Sequence, residues 1–408
     1  MREYIKVKKI KLKDNFTVEY AIEHSEKLEY FNEKMFVKYE EDISNVPESI
    51  LVIPLLSNLF PICWFLNADL HVNELDETFY YASNNIKDGF QKMYTQIKMG
   101  GKVIVNKIIK NSYCELDSAV LFSGGVDSVA SYINNEDKNP LLVIAQGADI
   151  SLEDTEGIEL ATKEAAEFAR ENDTKLISIK SNFKDFIKGS KLAGNFDDTI
   201  SHWWPCVQHG FAFVGLVAPI SYIRGISKIY IASSFTSVSD FRIPWGSDPR
   251  TDNEIKWGET KVHHDNFNRS RQDKIKQISD FVKRTGKHIK LRVCWESPGG
   301  SNCCKCEKCS NTMIGLMLEN LDPKEFGFYF SDDIYNHTRK SLLEGKWNFI
   351  HDDVDLWDDI KKHVSDSDER EFFKWLKSYD FKDSIRKYNT FSNKLRRKIM
   401  KMNEKIKS

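Results

Sequence analysis

Ala119-Val120-Leu121-Phe122-Ser123-Gly124-Gly125-Val126-Asp127-Ser128 runs from four apolar residues directly into a small, glycine-rich turn. The pattern predicts a short buried strand, a tight loop and a helix beginning near Val126. Such a turn suits an anion, because glycine lets backbone amides approach a phosphate with no Cβ in the way and a helix N-terminus adds the positive end of its dipole. Ser123 and Ser128 can donate hydroxyl hydrogen bonds to phosphate oxygens. Asp127 would repel a bare phosphate, so an acid here makes sense with a Mg²⁺ ion between them. The plainer reading is a Gly-Gly turn capped by serine and aspartate. No lysine lies between Ser123 and Ser128, so the loop is not a Walker A element.

Outward from this loop the chain alternates strands and helices. Leu141-Leu142-Val143-Ile144-Ala145 and Lys175-Leu176-Ile177-Ser178-Ile179 read as buried strands. The helix expected between them places Ile158, Ala161, Ala165 and Phe168 on one face. A helix from about Gln208 to Tyr222 and a strand Lys228 to Ala232 follow, and the alternation predicts a doubly wound parallel sheet. Ligands of such sheets bind beyond the carboxyl ends of the strands, where the loop at Ser123 meets Gln146, Gly147 and Ser233. Gln146 and Gly147 are therefore candidates for the adenosine side of a nucleotide site, or they form a plain strand-ending turn.

The stretch Ser239 to Arg250 combines arginines, aspartates and aromatics with proline and glycine turns. Arginine can pair with a carboxylate, an aromatic can stack on a flat heterocycle, and an aspartate can accept from a guanine-like edge. Asp240, Arg242, Trp245, Asp248 and Arg250 are thus candidate substrate residues. His264 and Asp265 join them, with a capping cluster before the helix at Arg271 as the alternative.

Cys294, Cys303, Cys306 and Cys309 follow the spacing Cys-x8-Cys-x2-Cys-x2-Cys, with Pro298-Gly299-Gly300 as the turn and Cys304 as an extra thiol. Four thiolates so spaced can close a tetrahedral Zn²⁺ site with no open position, which makes it structural; an iron–sulfur cluster could use the same thiols. Half of the eight cysteines lie here, which argues for a reducing cytosol and metal rather than disulfides.

The chain has 408 residues, 41% of them hydrophobic, and a net charge of −2, enough for several packed modules and no global pull toward nucleic acid. Charges at Arg2, Glu3 and Lys6 sit where a signal peptide needs its apolar core. Ile50 to Ala68 carries no charge and approaches the length of a membrane span. Pro54, Pro61 and Ser57-Asn58 interrupt it, which favours a buried strand-turn-strand element and no membrane association. Lys382 to Ser408, with Lys394-Leu395-Arg396-Arg397-Lys398, reads as a solvated helix end; contact with nucleic acid or an acidic partner stays open. Trp347, Trp357 and Trp375 read as helix-packing residues.

Ser-Gly-Gly-x-Asp-Ser after a strand resembles the signature of the PP-loop ATP pyrophosphatases, which split ATP between its α and β phosphates. With the cysteine spacing added, residues 117–321 resemble the 7-cyano-7-deazaguanine synthase (QueC) family. Two positions depart from that family: Cys304 stands where it usually has glycine, and Thr312 where it has arginine. The resemblance implies an α/β fold of the PP-loop, HUP-like (adenine nucleotide alpha hydrolase-like) type, spanning residues 114–322 with the zinc site at 294–309. Around it lie a β-rich α+β domain at 1–113 and a helical extension at 323–408. It implies ATP and pyrophosphate contacts from Leu121, Phe122, Ser123, Gly124, Gly125, Val126, Asp127, Ser128, Gln146 and Gly147, with Ser123, Asp127 and Ser128 serving catalysis and Mg²⁺ linked through Asp127.

The extra domains resemble those of QueC-like proteins of bacterial anti-phage operons. The implied reaction is adenylation of 7-carboxy-7-deazaguanine followed by attack of an amine, either ammonia or the amino terminus of an operon-encoded protein. Whether a nitrile forms is open, as is the oligomeric state, for which a homodimer is one expectation. The implied location is the cytoplasm. Competing readings are a tRNA-thiolating PP-loop enzyme, an ammonia-dependent ligase, and a non-catalytic nucleotide-binding subunit.

Overall fold

The run at Ala119 lies inside an eleven-stranded sheet. The computed structural model describes residues 2–114, 117–196, 199–236, 244–294, 299–330, 333–347 and 351–390. They divide into two compact units, Met1–Asn268 and Arg269–Ser408.

The first unit holds the whole sheet. Its strands are β1 (Tyr4–Lys13), β2 (Thr17–His24), β3 (Phe36–Tyr39), β4 (Asp69–Asp76), β5 (Val103–Ile109), β6 (Asp117–Leu121), β7 (Leu141–Gln146), β8 (Leu176–Ser181), β9 (Ile226–Ala232), β10 (Lys256–Trp257) and β11 (Thr260–Asp265). Its helices are α1 (Glu48–Leu51), α2 (Ile53–Phe65), α3 (Glu77–Met93), α4 (Val126–Asn134), α5 (Thr155–Glu171), α6 (Gly189–Ala193), α7 (His209–Gly215), α8 (Ala218–Arg224) and α9 (Pro249–Asp252). The strand order is β10-β11-β9-β6-β7-β8-β3-β2-β1-β4-β5. From β11 to β8 every pairing is parallel; β3, β2 and β1 then continue antiparallel, and β4 and β5 return to parallel. The sheet is therefore mixed and mostly parallel, and strands from residues 1–113 extend the one that begins with β6. Val37 and Tyr39 on β3 register with Ser181 and Ile179 on β8, which makes this join a continuous ladder.

The expected strands of the parallel half are present, and so are α4 and α5; the single helix expected from about Gln208 to Tyr222 is divided into α7 and α8 by a turn at Leu216 and Val217. Phe122 packs on Phe168 of α5 at 4.8 Å between ring centroids, while Ala119, Leu141 and Val143 face the other layer with Val214 and Ile220. Helices therefore cover both faces, as a doubly wound arrangement requires. The sequence reading missed β11, a fifth parallel strand whose Thr260–Asp265 pairs with β9.

One expectation is overturned. Ile53–Phe65 is a single helix, not a strand-turn-strand element, and all its residues are buried. Pro54 lies in the first turn, where its missing N–H costs nothing. Pro61 is interior, yet burial on every side of α2 outweighs the lost hydrogen bond. The polar pair that suggested a turn is absorbed inside: Ser57 Oγ donates to the Ile53 carbonyl at 2.9 Å, and Asn58 donates to the Pro54 carbonyl at 2.8 Å while accepting from Gln208 Nε2 at 2.7 Å. Among the described residues one helical stretch, Trp204–Arg224, is long and apolar enough to cross a bilayer, and it is mostly buried within the protein.

The second unit is helical: α10 (Arg271–Thr285), α11 (Glu307–Leu318), α12 (Ile334–Glu344), α13 (His351–His363), α14 (Glu371–Ser378) and α15 (Lys382–Tyr388). A capping box fixes the start of α10, in which Ser270 Oγ accepts from the Asp273 amide and the Asp273 carboxylate accepts from the Ser270 amide. Trp357 is fully buried, stacks on Trp347 and donates Nε1–H to Glu307 at 2.6 Å, so these tryptophans do pack helices. The basic run Lys394 to Lys398 lies outside the described residues.

Candidate functional site

The strand order reverses direction at β6: β7 follows on one side and β9 stands on the other. A crevice opens beyond the carboxyl ends of strands at such a switch point. The loop Ser123–Gly125 and the loop that begins at Ser233 both leave their strands there.

The first loop is shaped by its glycines. Gly124 has φ +76°, a conformation that a side chain would strain, and Gly125 is the N-cap of α4. Gly125 brings no side-chain cap, so the first-turn amides of α4 have no internal acceptor of that kind and can meet an anion. Ser128 Oγ lies 3.3 Å from Ser123 Oγ, accepts from the Ser123 amide at 3.2 Å and donates to the Gly125 carbonyl at 3.1 Å. This closes the loop into a cup with the Ser123 side exposed and Ser128 buried. Asp127 stands in the first turn of α4, half-buried. Leu121 and Phe122 act as the strand's end: the Phe122 amide donates to the Val143 carbonyl at 2.8 Å.

Gln146 and Gly147 end β7 on the same edge. The Gln146 side-chain amide donates to Thr162 Oγ1 at 3.1 Å and lines a surface cavity with Ile158, Lys163 and Lys180. Gly147 has φ +94°, and a Cβ there would come within 2.0 Å of the Ser181 carbonyl oxygen. That turn is held by backbone crowding.

The second loop behaves differently from its sequence reading. Asp240 and Arg242 lie outside the described residues. Asp248 and Arg250 are brought together, but with each other: Arg250 Nε and Nη2 donate to the two carboxylate oxygens at 2.7 and 2.8 Å, and Asp248 is fully buried. Hydrogen bonding to Asp248 raises the Arg250 pKa above its ordinary value. His264 is buried with Nδ1 2.8 Å from Asp252 Oδ2, which also accepts from Ser247 Oγ at 2.7 Å. Asp265 accepts from Ser131 Oγ at 2.7 Å, Asn134 at 2.9 Å and Asn135 at 3.1 Å, all on or just after α4. Its carboxylate anchors the helix that carries the glycine loop. The α10 cap is made by Ser270 and Asp273 instead.

Trp245 sits in an aromatic setting. Its ring lies 5.5 Å from Phe235 and 6.0 Å from His209, and His209 stands 5.3 Å from Trp204. Trp204 and His209 were not foreseen. Trp204–Gln208 is a π-helix, pinned by the Gly246 amide donating to the Pro205 carbonyl at 2.7 Å and the Gly210 amide donating to the Gly246 carbonyl at 3.0 Å. The run Trp203-Trp204-Pro205 before His209-Gly210 was the available signal, since such irregular turns concentrate at functional positions.

In the second unit the four cysteines converge. Their sulfurs all lie within 4.8 Å of one another, with Cys294 3.8 Å from Cys306 and Cys303 3.9 Å from Cys309. A tetrahedral ion with metal–sulfur bonds of about 2.3 Å needs edges of about 3.8 Å, so the cluster has the size for a metal ion such as zinc. Amides of Lys305 and Cys306 donate to Cys303 Sγ, and that of Cys309 to Cys306 Sγ, as thiolates require. Hydrogen bonding from the Cys309 thiol, with the Cys309 amide, lowers the Cys306 pKa to about 5, while burial raises that of Cys303 to about 11.

Cys304 does not join them. Its sulfur turns to the Asn302 carbonyl at 3.5 Å, and its φ is +56°. At the other unusual position, Arg271 Nη2 donates to Thr312 Oγ1 at 3.1 Å, so α10 supplies a guanidinium beside the residue. Glu307, next to Cys306, is half-buried and its pKa rises to about 8, chiefly through desolvation and the nearby Asp353.

No family model, no curated protein and no solved structure matches the chain.

Proposed function

We propose that the protein is an AMP-forming ligase of the QueC-like PP-loop class, which adenylates 7-carboxy-7-deazaguanine and passes the acyl group to an amine. The observation that carries this reading is the cup formed by Ser123 to Ser128 at the switch point of the parallel sheet, in a chain that also bears the four-cysteine cluster.

A carboxylate resists amines because hydroxide is a poor leaving group. In the proposed reaction a carboxylate oxygen attacks the α-phosphorus of ATP, the α–β bridging bond breaks, and pyrophosphate departs with its charge. The amides at the start of α4 and the hydroxyls of Ser123 and Ser128 hold that pyrophosphate. The amine nitrogen then attacks the acyl carbon, AMP leaves, and the nitrogen sheds its proton to solvent. No side chain becomes a covalent nucleophile. Asp127 would hold a Mg²⁺ ion, which would offset the triphosphate charge. Trp245, with Trp204 and His209, offers flat faces to a heterocycle.

Zn²⁺ fits the four thiolates, and with every coordination position filled its role is to fold the loop between α10 and α11. The amine is ammonia or the amino terminus of a protein encoded in the same anti-phage operon, acting in the cytoplasm; the domains flanking the nucleotide site favour the protein acceptor.

The test is incubation with ATP, Mg²⁺ and 7-carboxy-7-deazaguanine, with and without ammonia and operon-encoded proteins, with products read by mass spectrometry. AMP and an amide or protein conjugate are expected, and Asp127→Ala should abolish both. AMP formation that survives Asp127→Ala, or none with this acid under any of these conditions, overturns the proposal.

A further inference from the structure

One end of the sheet is an open edge. Among the described residues β5 pairs with β4 on one side and with no strand on the other, whereas the opposite edge ends in the two-residue β10. Leu70 donates its amide to the Lys102 carbonyl at 2.8 Å, which turns even-numbered peptide groups toward β4. In a parallel ladder the N–H and C=O groups of Val103, Val105 and Lys107 then point outward.

One face of this edge carries Lys102, Ile104, Asn106, Ile108 and Lys110 at alternating positions. Ile104 is 39% exposed and Ile108 42%, unusual for large apolar side chains on a strand. Lys107, on the other face, is paired with Glu74 at 3.1 Å, but Lys102 and Lys110 have no carboxylate partner among the described residues. No proline or bulge blunts β5.

This pattern decides between occupants. A second copy pairing antiparallel about Asn106 would place Ile104 opposite Ile108, as a two-fold interface needs, but it would also set Lys102 against Lys110 at both ends. Like charges directly opposite are destabilising, so the lysines act against self-pairing. A foreign strand with apolar residues at the centre and an acid at each end satisfies every group instead. We propose that β5 docks such an acidic, extended segment of a partner protein by strand addition. The inference stands apart from the chemistry proposed for the nucleotide loop.

The probe is a capped nine-residue peptide with aspartate at both ends, valine third and seventh, and threonine elsewhere; a second peptide carries lysine at both ends. By calorimetry the acidic peptide should bind with a dissociation constant on the order of 10–1000 µM and the basic one at least about tenfold more weakly. Added salt should weaken binding. Val105→Pro, which removes an outward N–H without removing a hydrogen bond to β4, should abolish binding while circular dichroism shows the fold retained. Lys102→Glu/Lys110→Glu should reverse the preference between peptides, which no unfolded variant would do. Absence of binding at millimolar peptide, or binding indifferent to both variants, overturns the proposal. A dimer that Val105→Pro dissociates would overturn it in favour of self-pairing.

Discussion

Cys294 Sγ lies 3.8 Å from Cys306 Sγ although eleven residues separate them in the chain, and this closes a cluster of four sulfurs that all lie within 4.8 Å of one another. The expected metal content is one zinc per chain by elemental analysis. Cys306→Ser should lose it and lower the melting temperature, because metal binding and folding of this loop are one equilibrium. Cys304→Ser should keep it. Retention of full zinc by Cys306→Ser would show that the four sulfurs are not the ligands.

Cys304 occupies the left-handed region at φ +56°, where a Cβ is strained. Cys304→Gly should therefore stabilise the zinc-loaded protein by about 1 kcal/mol, read as a rise in melting temperature. A fall would mean that the sulfur's contact with the Asn302 carbonyl outweighs the strain.

Asp265 accepts from Ser131, Asn134 and Asn135, and Asp265→Ala leaves these donors without an acceptor. The expected cost is about 3 kcal/mol in denaturant unfolding. If Asp265 instead served substrate, the same change would raise KM with stability unaltered.

Tyr20 and Tyr39 are buried and donate to the carbonyls of Leu51 and Leu216 at 2.7 and 3.0 Å; burial holds both pKa values well above the ordinary range. Above about pH 10 the unfolded chain sheds these protons and the folded one keeps them, so stability is intact below pH 10 and falls as pH rises beyond it. The slope should approach about 1.4 kcal/mol per pH unit for each tyrosine, and Tyr39→Phe should remove one such increment in alkaline unfolding titrations.

Arg250→Ala should act on stability before specificity. Removing the guanidinium strands Asp248, which is fully buried, at a cost of about 3 kcal/mol. A variant with unchanged melting and raised substrate KM would return Arg250 to the substrate.

Local patterns were legible where a few adjacent residues settle the outcome. The strand, glycine turn and helix at Ala119 to Asn134 follow from apolar runs and from what glycine alone permits, and the cysteine spacing closes a cluster over one short loop. Longer-range outcomes were not legible. Ile53–Phe65 reads as broken by two prolines, yet complete burial makes it a helix, because the cost of a missing hydrogen bond is set by what surrounds it. Asp248, Arg250, His264 and Asp265 have the side chains of a binding site, but which charges spend themselves on each other depends on elements that fold together from distant parts of the chain.

The sequence by itself determined the glycine turn at the start of α4 and the four-cysteine set, since both rest on residue chemistry at short spacing. Only the tertiary structure decided that the strands of residues 1–113 join the parallel ones in one sheet, that four polar candidates are held in internal pairs, and that β5 is left as an open edge. Pairing of strands and burial of charge are settled by contacts between residues far apart in the chain, and no local pattern encodes them.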